Sequence, residues 1–331
     1  MGPRRVLVLL SAVVLLVLTP SAASAHHPSP DPEPQLLASG LSGGFGSTVG
    51  PDGALYVTEP SVGEISRIDP RTGAVTTFAS GLPTNVSISG AFGGAFDVAF
   101  VHGTAYALVT FVSADVGGTF LDGIYRIDGP STATLVVDIG TWAAEHPPTT
   151  AFFVPTGVQY AFEPYKGGFL VTDGHHNRVY QVGLDGSIAV RMAFANIVPT
   201  GLAISGRTVY LAQSGPVPHL PQDGRIVAFG PWSSTATEVA SGGPLMVDVE
   251  RDRGRLYGLA QGIWPLGGPE GSPASPDTGQ LLEVGRHGAL EVVADGLDQP
   301  VSFQIIRGTA YVVTLGGEVW TVDLDRRHGH D

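Results

Sequence analysis

The stretch PQLLASGL, Pro34–Leu41, decides the fold. It is worded like the strands AVTTFASGL (Ala74–Leu82), ATEVASGG (Ala236–Gly243) and ALEVVADGL (Ala289–Leu297), each of which ends a repeat, yet no repeat precedes it. At the opposite end, VWTVDLD (Val319–Asp325) is worded like a third strand and lacks the return strand that follows its counterparts. Each fragment supplies what the other lacks, so the two termini are expected to complete one four-stranded unit.

The units between them recur. A short apolar second strand appears as LYVTE (Leu55–Glu59), AYALVT (Ala105–Thr110), FLVTD (Phe169–Asp173), VYLAQ (Val209–Gln213), LYGLA (Leu256–Ala260) and AYVVT (Ala310–Thr314). Anchored on Tyr56, Tyr106, Leu170, Tyr210, Tyr257 and Tyr311, the spacings are 50, 64, 40, 47 and 54 residues, the range of propeller blades. The 46 glycines and 26 prolines are spread evenly, which suits many short strands and turns. The expected fold is all-β: a six-bladed β-propeller of four-stranded blades, closed by an N-terminal strand that completes the last blade. Such a ring has no open edge. A parallel β-solenoid fits less well, because solenoid coils are shorter and more regular.

Residues 1–25 have the pattern of an export signal: Arg4 and Arg5, the apolar run Val6–Leu18 and the small-residue end Ala23–Ala25. The run of 13 residues is shorter than the roughly 18–20 that span a bilayer, so no stable membrane insertion is expected once the signal is removed. The expected organisation is a signal over 1–25, a proline-rich linker over 26–33, the propeller over 34–325 and a disordered histidine-containing tail over 326–331. With Arg4 and Arg5 gone, 15 basic side chains face 30 acidic ones. That balance argues against nucleic acid and anionic membrane surfaces as partners and for solubility outside the cell. The chain is expected to be a secreted bacterial protein and a monomer. There is no cysteine, so disulfides, thiolate metal sites and c-type haem attachment are ruled out.

VTDGHHNRVYQV, Val171–Val182, sets two adjacent histidines between an aspartate and an asparagine. Its place in the repeat is the link between second and third strands. Adjacent residues of extended chain point apart, so His175 and His176 are a poor start for one metal site. The stretch reads as a turn with Asp173 and Asn177 bonding its backbone, Arg178 packed between blades, and the histidines at the tip, where they could also face a ligand.

GFGSTVGPDGALYVTE (Gly44–Glu59), GAFDVAF (Gly94–Phe100), FFVPTGVQYA (Phe152–Ala161), VTDGHHNRV (Val171–Val179), VPTGLAI (Val198–Ile204), GPVPHLPQDGRIVAF (Gly215–Phe229) and the run Ala294–Trp320 resemble the ScyD/ScyE family of exported proteins. That family is related to the NHL-repeat and SMP-30-type six-bladed propellers. The resemblance spans about Leu36 to Asp325. It implies the propeller fold and export, and no established reaction. Among the related propellers, lactonases of the SMP-30 type hold a divalent metal at the channel mouth, with an asparagine from a PNG turn among its ligands. The comparable turns here are PTG, Pro155–Gly157 and Pro199–Gly201, which put Thr156 and Thr200 where an amide would stand. Threonine is a poor ligand for a hard cation, so no cofactor is expected, with a divalent cation as the open alternative.

Counting nine residues back from the anchors gives Ser47, Asp97, Gly201, Asp248 and Ser302, with Gly157 assigned to the third blade across an insertion. Asp97 and Asp248 fall in opposite blades, so both carboxylates are expected to face one channel mouth. They could grip a cation or hydroxyl groups, or act as acid and base; equally, each could accept hydrogen bonds from the next blade's backbone. The long links Phe111–Gly123, Ser214–Gly224 and Gln261–Gly279 are expected on that same face, bringing together Asp97, Thr156, His175, His176, Thr200, His219, Asp248 and Trp264 as a candidate ligand surface. Two functions are consistent with these residues: a non-catalytic binding or scaffold module for an extracellular small molecule, glycan or protein, and a metal-dependent hydrolase or lactonase using Asp97 and Asp248.

Overall fold

Six four-stranded antiparallel sheets make up the chain. The computed structural model describes Gly2 and residues 33–86, 92–268 and 271–325. Apart from Gly2 and Glu33, the expected export signal and linker, together with the expected tail and the histidines His26, His27, His328 and His330, lie outside the described residues. No helix among the described residues is long and apolar enough to cross a membrane.

Each blade begins with an inner strand: Ser47–Val49, Gly94–Val101, Gln159–Tyr165, Val198–Ser205, Met246–Asp252 and Pro300–Ile306 for blades 1 to 6. Every inner strand packs against both neighbours, the last against the first, so the six surround a central channel. The second strands Leu55–Glu59 and Gly168–Asp173 are buried at every position, because a neighbouring blade covers each face. The outermost strands, such as Val75–Ala79, are mostly exposed. Six large apolar clusters fill the six interfaces between blades, for example Leu108, Ile124, Phe162 and Phe169 between blades 2 and 3. At about 25 cal/mol per Å² of apolar surface buried, these interfaces supply the cohesion of a chain that has no disulfides.

The ring closes as its termini imply. Gln35–Ala38 pairs antiparallel with Val319–Asp323, with Gln35 opposite Thr321 and Leu36 opposite Trp320. Leu41 N donates to Gly317 O at 3.2 Å. Gly317 sits at φ +82°, and a Cβ there would stand 2.2 Å from Leu41 O; only glycine allows this crossing.

A short helix joins the strands, and the expected alignment of blade 3 needs correction. Ile139–Glu145 is helical, capped by Asp138 accepting from Thr141 N at 2.9 Å. Seven residues show too little periodicity to read from sequence. In blade 3, no insertion precedes the inner strand: Glu163 lies opposite Leu170 as Ala99 lies opposite Tyr106. The counterpart of Asp97 is therefore Ala161, and Pro155–Gly157 belongs to the preceding link.

Candidate functional site in the central channel

Side chains alternate along a strand, so every second residue of an inner strand faces the channel. Ser47, Asp97, Ala161, Gly201, Asp248 and Ser302 form one level, and Glu163, Glu250 and Gln304 belong to the next. All nine line one cavity of about 20 Å³, room for a single water.

Asp97 and Asp248 are built alike. Asp97 Oδ1 accepts from Val98 N at 2.8 Å and Oδ2 from Phe162 N of blade 3 at 3.0 Å. Asp248 Oδ1 accepts from Val249 N at 2.9 Å and Oδ2 from Phe303 N of blade 6 at 3.0 Å. Each carboxyl thus ties its blade to the next and also faces the shared cavity. The preceding blades make room: a Cβ on Gly46 would lie 2.2 Å from Asp97 Oδ1, and one on Gly201 2.1 Å from Asp248 Oδ1.

Burial dominates the electrostatics. It pushes Asp97 well above the ordinary carboxyl range against its two backbone donors, helped by the nearby Glu163 and Asp248. Asp248 is raised to about 7 by burial, opposed by the Phe303 and Val249 amides. Glu163 is raised to about 8 by burial and then by the charge of Asp248. Burial, Asp248 and Glu163 together raise Glu250 well above its usual range, while a hydrogen bond from Gln304 Nε2 at 2.7 Å pulls it down. The Glu163 carboxyl has no hydrogen-bond partner among the described residues. Four carboxyls therefore share the channel, and at neutral pH part of the set keeps its protons. Glu163 and Glu250 escaped the sequence analysis; the period-two rule applied to the aspartate level points at both.

On the loop side the channel is covered. Phe45 stacks on Phe96 with ring centroids 3.8 Å apart, and Tyr160 meets Phe45 edge-on at 5.4 Å. On the opposite side, where hairpins join inner to second strands, the channel opens into a cavity of about 210 Å³ lined by Thr48, Val49, Glu163, Ala203, Ile204, Ser205, Glu250, Arg251 and Gln304.

The remaining sequence candidates are dispersed. Thr156 Oγ1 donates to Asp115 Oδ2 at 2.7 Å in an exposed link, whereas Thr200 Oγ1 donates to Met246 O at 3.0 Å in a buried strand. The two PTG turns are therefore not equivalent. His175 Nδ1 lies 2.7 Å from Thr156 O. His176 lies in the turn but points inward: it is 2% exposed, its Nε2 lies 3.1 Å from Pro155 O and its Nδ1 3.1 Å from Arg178 Nη2. Asp173 organises this turn by accepting from Val158 N and His176 N at 3.0 Å, Gln159 Nε2 at 3.1 Å and Tyr180 OH at 2.8 Å. His219 and Trp264 meet edge to face at 6.2 Å, and burial lowers the His219 pKa. Trp264 is only 5% exposed and packs on Leu245 and Ala274, so it belongs to a small core under its loop.

A resident divalent cation, as related propellers imply, does not fit these residues. Both threonine hydroxyls at the PTG turns donate to protein oxygens. No group of three or more histidine, aspartate or glutamate side chains among the described residues is placed to hold an ion.

No protein-family model matches the chain, and no curated protein matches it in sequence. Solved structures share its fold. A gluconolactonase from Xanthomonas campestris superposes with a TM-score of 0.59 at 14% identity, covering 87% of this chain and 89% of that one. A calcium-binding regucalcin from Agrobacterium tumefaciens gives 0.57 at 12%, covering 87% and 95%. The PQQ-bound aldose sugar dehydrogenase from Streptomyces coelicolor gives 0.55 at 13%, covering 89% and 99%.

Proposed function

We propose that this protein is an exported hydrolase of the lactone- or ester-opening type that works through its channel carboxyls. The observation that carries the reading is that Asp248 and Glu163 face one water-sized cavity with protonation midpoints of about 7 and about 8. Acid–base catalysis is most efficient when such midpoints lie near the working pH. Fold similarity to a gluconolactonase agrees with this class of substrate.

Ionised Asp248 keeps lone pairs beyond the two amide bonds and takes a proton from the cavity water as that water's oxygen bonds to the acyl carbon. Protonated Glu163 gives its proton to the ring or alkoxy oxygen as the acyl C–O bond breaks. Water is consumed, a hydroxy acid or an acid and alcohol leave, and a proton passes from Asp248 back to Glu163. Assay of the mature chain against aldonolactones and short esters, with and without chelator, tests this. Turnover that survives chelation and falls at least a hundredfold in both Glu163→Gln and Asp248→Asn supports it; turnover unchanged in either variant overturns it.

The second reading, a non-catalytic ScyD/ScyE-like binding or scaffold module, draws support from the aspartates' bonds between blades and from the aromatic cover on the loop side. It expects no turnover on any member of that panel.

A further inference from the structure

We infer that small molecules reach the channel from the hairpin face, and that the cavity there binds a neutral, hydroxyl-rich molecule through Glu163, Glu250, Gln304, Ser205 and Arg251. Sequence alone directed attention to the long loops of the other face. There, Phe45, Phe96 and Tyr160 cover the channel, and the inner cavity beneath them has room for about one water. The hairpin-face cavity is an order of magnitude larger and open to solvent. Glu163, Glu250 and Gln304 line both spaces, so a molecule seated on the hairpin side touches the side chains that border the inner water.

The chemistry of the lining selects the ligand class. Glu250 is held by Gln304 Nε2 at 2.7 Å, leaving the Gln304 carbonyl oxygen as an acceptor. Arg251 Nη1 donates to Ser205 Oγ at 2.6 Å on the rim, which fixes a guanidinium beside the opening and disfavours a cationic ligand. Burial raises Glu163 to about 8 and pushes Glu250 well above its ordinary range, and a protonated carboxyl offers one donor and one acceptor. Paired donors and acceptors suit hydroxyl groups. A simple cation would instead require these groups to ionise.

The inference rests on the hydrolase reading for its substrate, while its test reads binding separately. Methyl NMR of the intact mature chain, titrated with D-glucose, xylitol and tetramethylammonium chloride, is expected to show saturable shifts at Ile204 with the two polyols and none with the cation. Ser205→Trp, which fills the rim, is expected to abolish those shifts and to lower kcat/KM at least tenfold for any lactone turned over. Gln304→Leu, with an unchanged melting temperature, is expected to weaken polyol binding at least fivefold and serves if the tryptophan variant does not fold. Polyol shifts confined to Val247 and Val301, shifts that persist in both variants, a response to tetramethylammonium instead, or no saturable shift at all would each overturn the inference. Turnover unaffected by Ser205→Trp would overturn it while leaving the hydrolase standing; polyol binding at Ile204 without turnover would do the reverse.

Discussion

Gly46 and Gly201 show how far single positions constrain the channel. Each is the point where a blade passes the aspartate of the next, and an added methyl group would overlap carboxyl oxygen and backbone. Gly46→Ala and Gly201→Ala are expected to cost about 1–3 kcal/mol by overpacking, read as a lower urea midpoint at unchanged slope. Glu163 and Asp248 carry the opposite tendency. Their pKa values are raised in the folded chain, so between about pH 4 and about pH 8 the folded state holds more protons than the unfolded state. Stability from these groups is therefore fully present at acid pH and falls as pH rises through the folded midpoints. Glu163→Gln is expected to flatten that fall and to be more stable than the parent at pH 8, by on the order of 2 kcal/mol, in urea unfolding at pH 5 and pH 8. A side chain kept at this cost in stability is characteristic of functional sites.

Among the elements, the Val171–Val182 hairpin is the most tightly specified. Asp173 is fully buried and accepts four hydrogen bonds, and Asn177 takes the left-handed φ of +54° that asparagine tolerates better than most residues. Asp173→Ala leaves buried donors without acceptors and is expected to cost about 3 kcal/mol or more. His175→Ala, on the outer side of the turn, is expected to cost under about 1 kcal/mol. Thermal melts of the two variants compare them directly; equal losses would show that the network does not hold the turn. The paired histidines therefore divide their work, one in the buried network and one toward the Thr156 link.

Closure decides the behaviour of the whole molecule. The strand Gln35–Ala38 covers Val319–Asp323, whose backbone would otherwise be an open edge in blade 6. A chain beginning at Ser42 is expected to melt at least 5 °C lower, following the usual relation between lost free energy and midpoint. It is also expected to self-associate through that edge, seen as a concentration-dependent shift in size-exclusion chromatography. Monomeric behaviour at an unchanged melting temperature would show that the six interfaces between blades suffice alone.

The ring and its closure were legible in the sequence because they rest on local, repeated signals: apolar second strands at a regular period, turn residues between them, and two half-blades at the termini. Asp97 and Asp248 were legible for the same reason, since the register counted from the anchor tyrosines holds in blades 2 and 5. Blade 3 was misaligned because the second PTG turn imitates the first, and only the hydrogen-bond register moves the aspartate level to Ala161. Glu163 and Glu250 follow the two-residue period, but their significance depends on enclosure: a carboxyl's pKa is set by how much water surrounds it, which the ring determines. Which mouth is open was likewise settled by packing, because Phe45, Phe96 and Tyr160 come from three different blades and form a cover only when the ring brings them together.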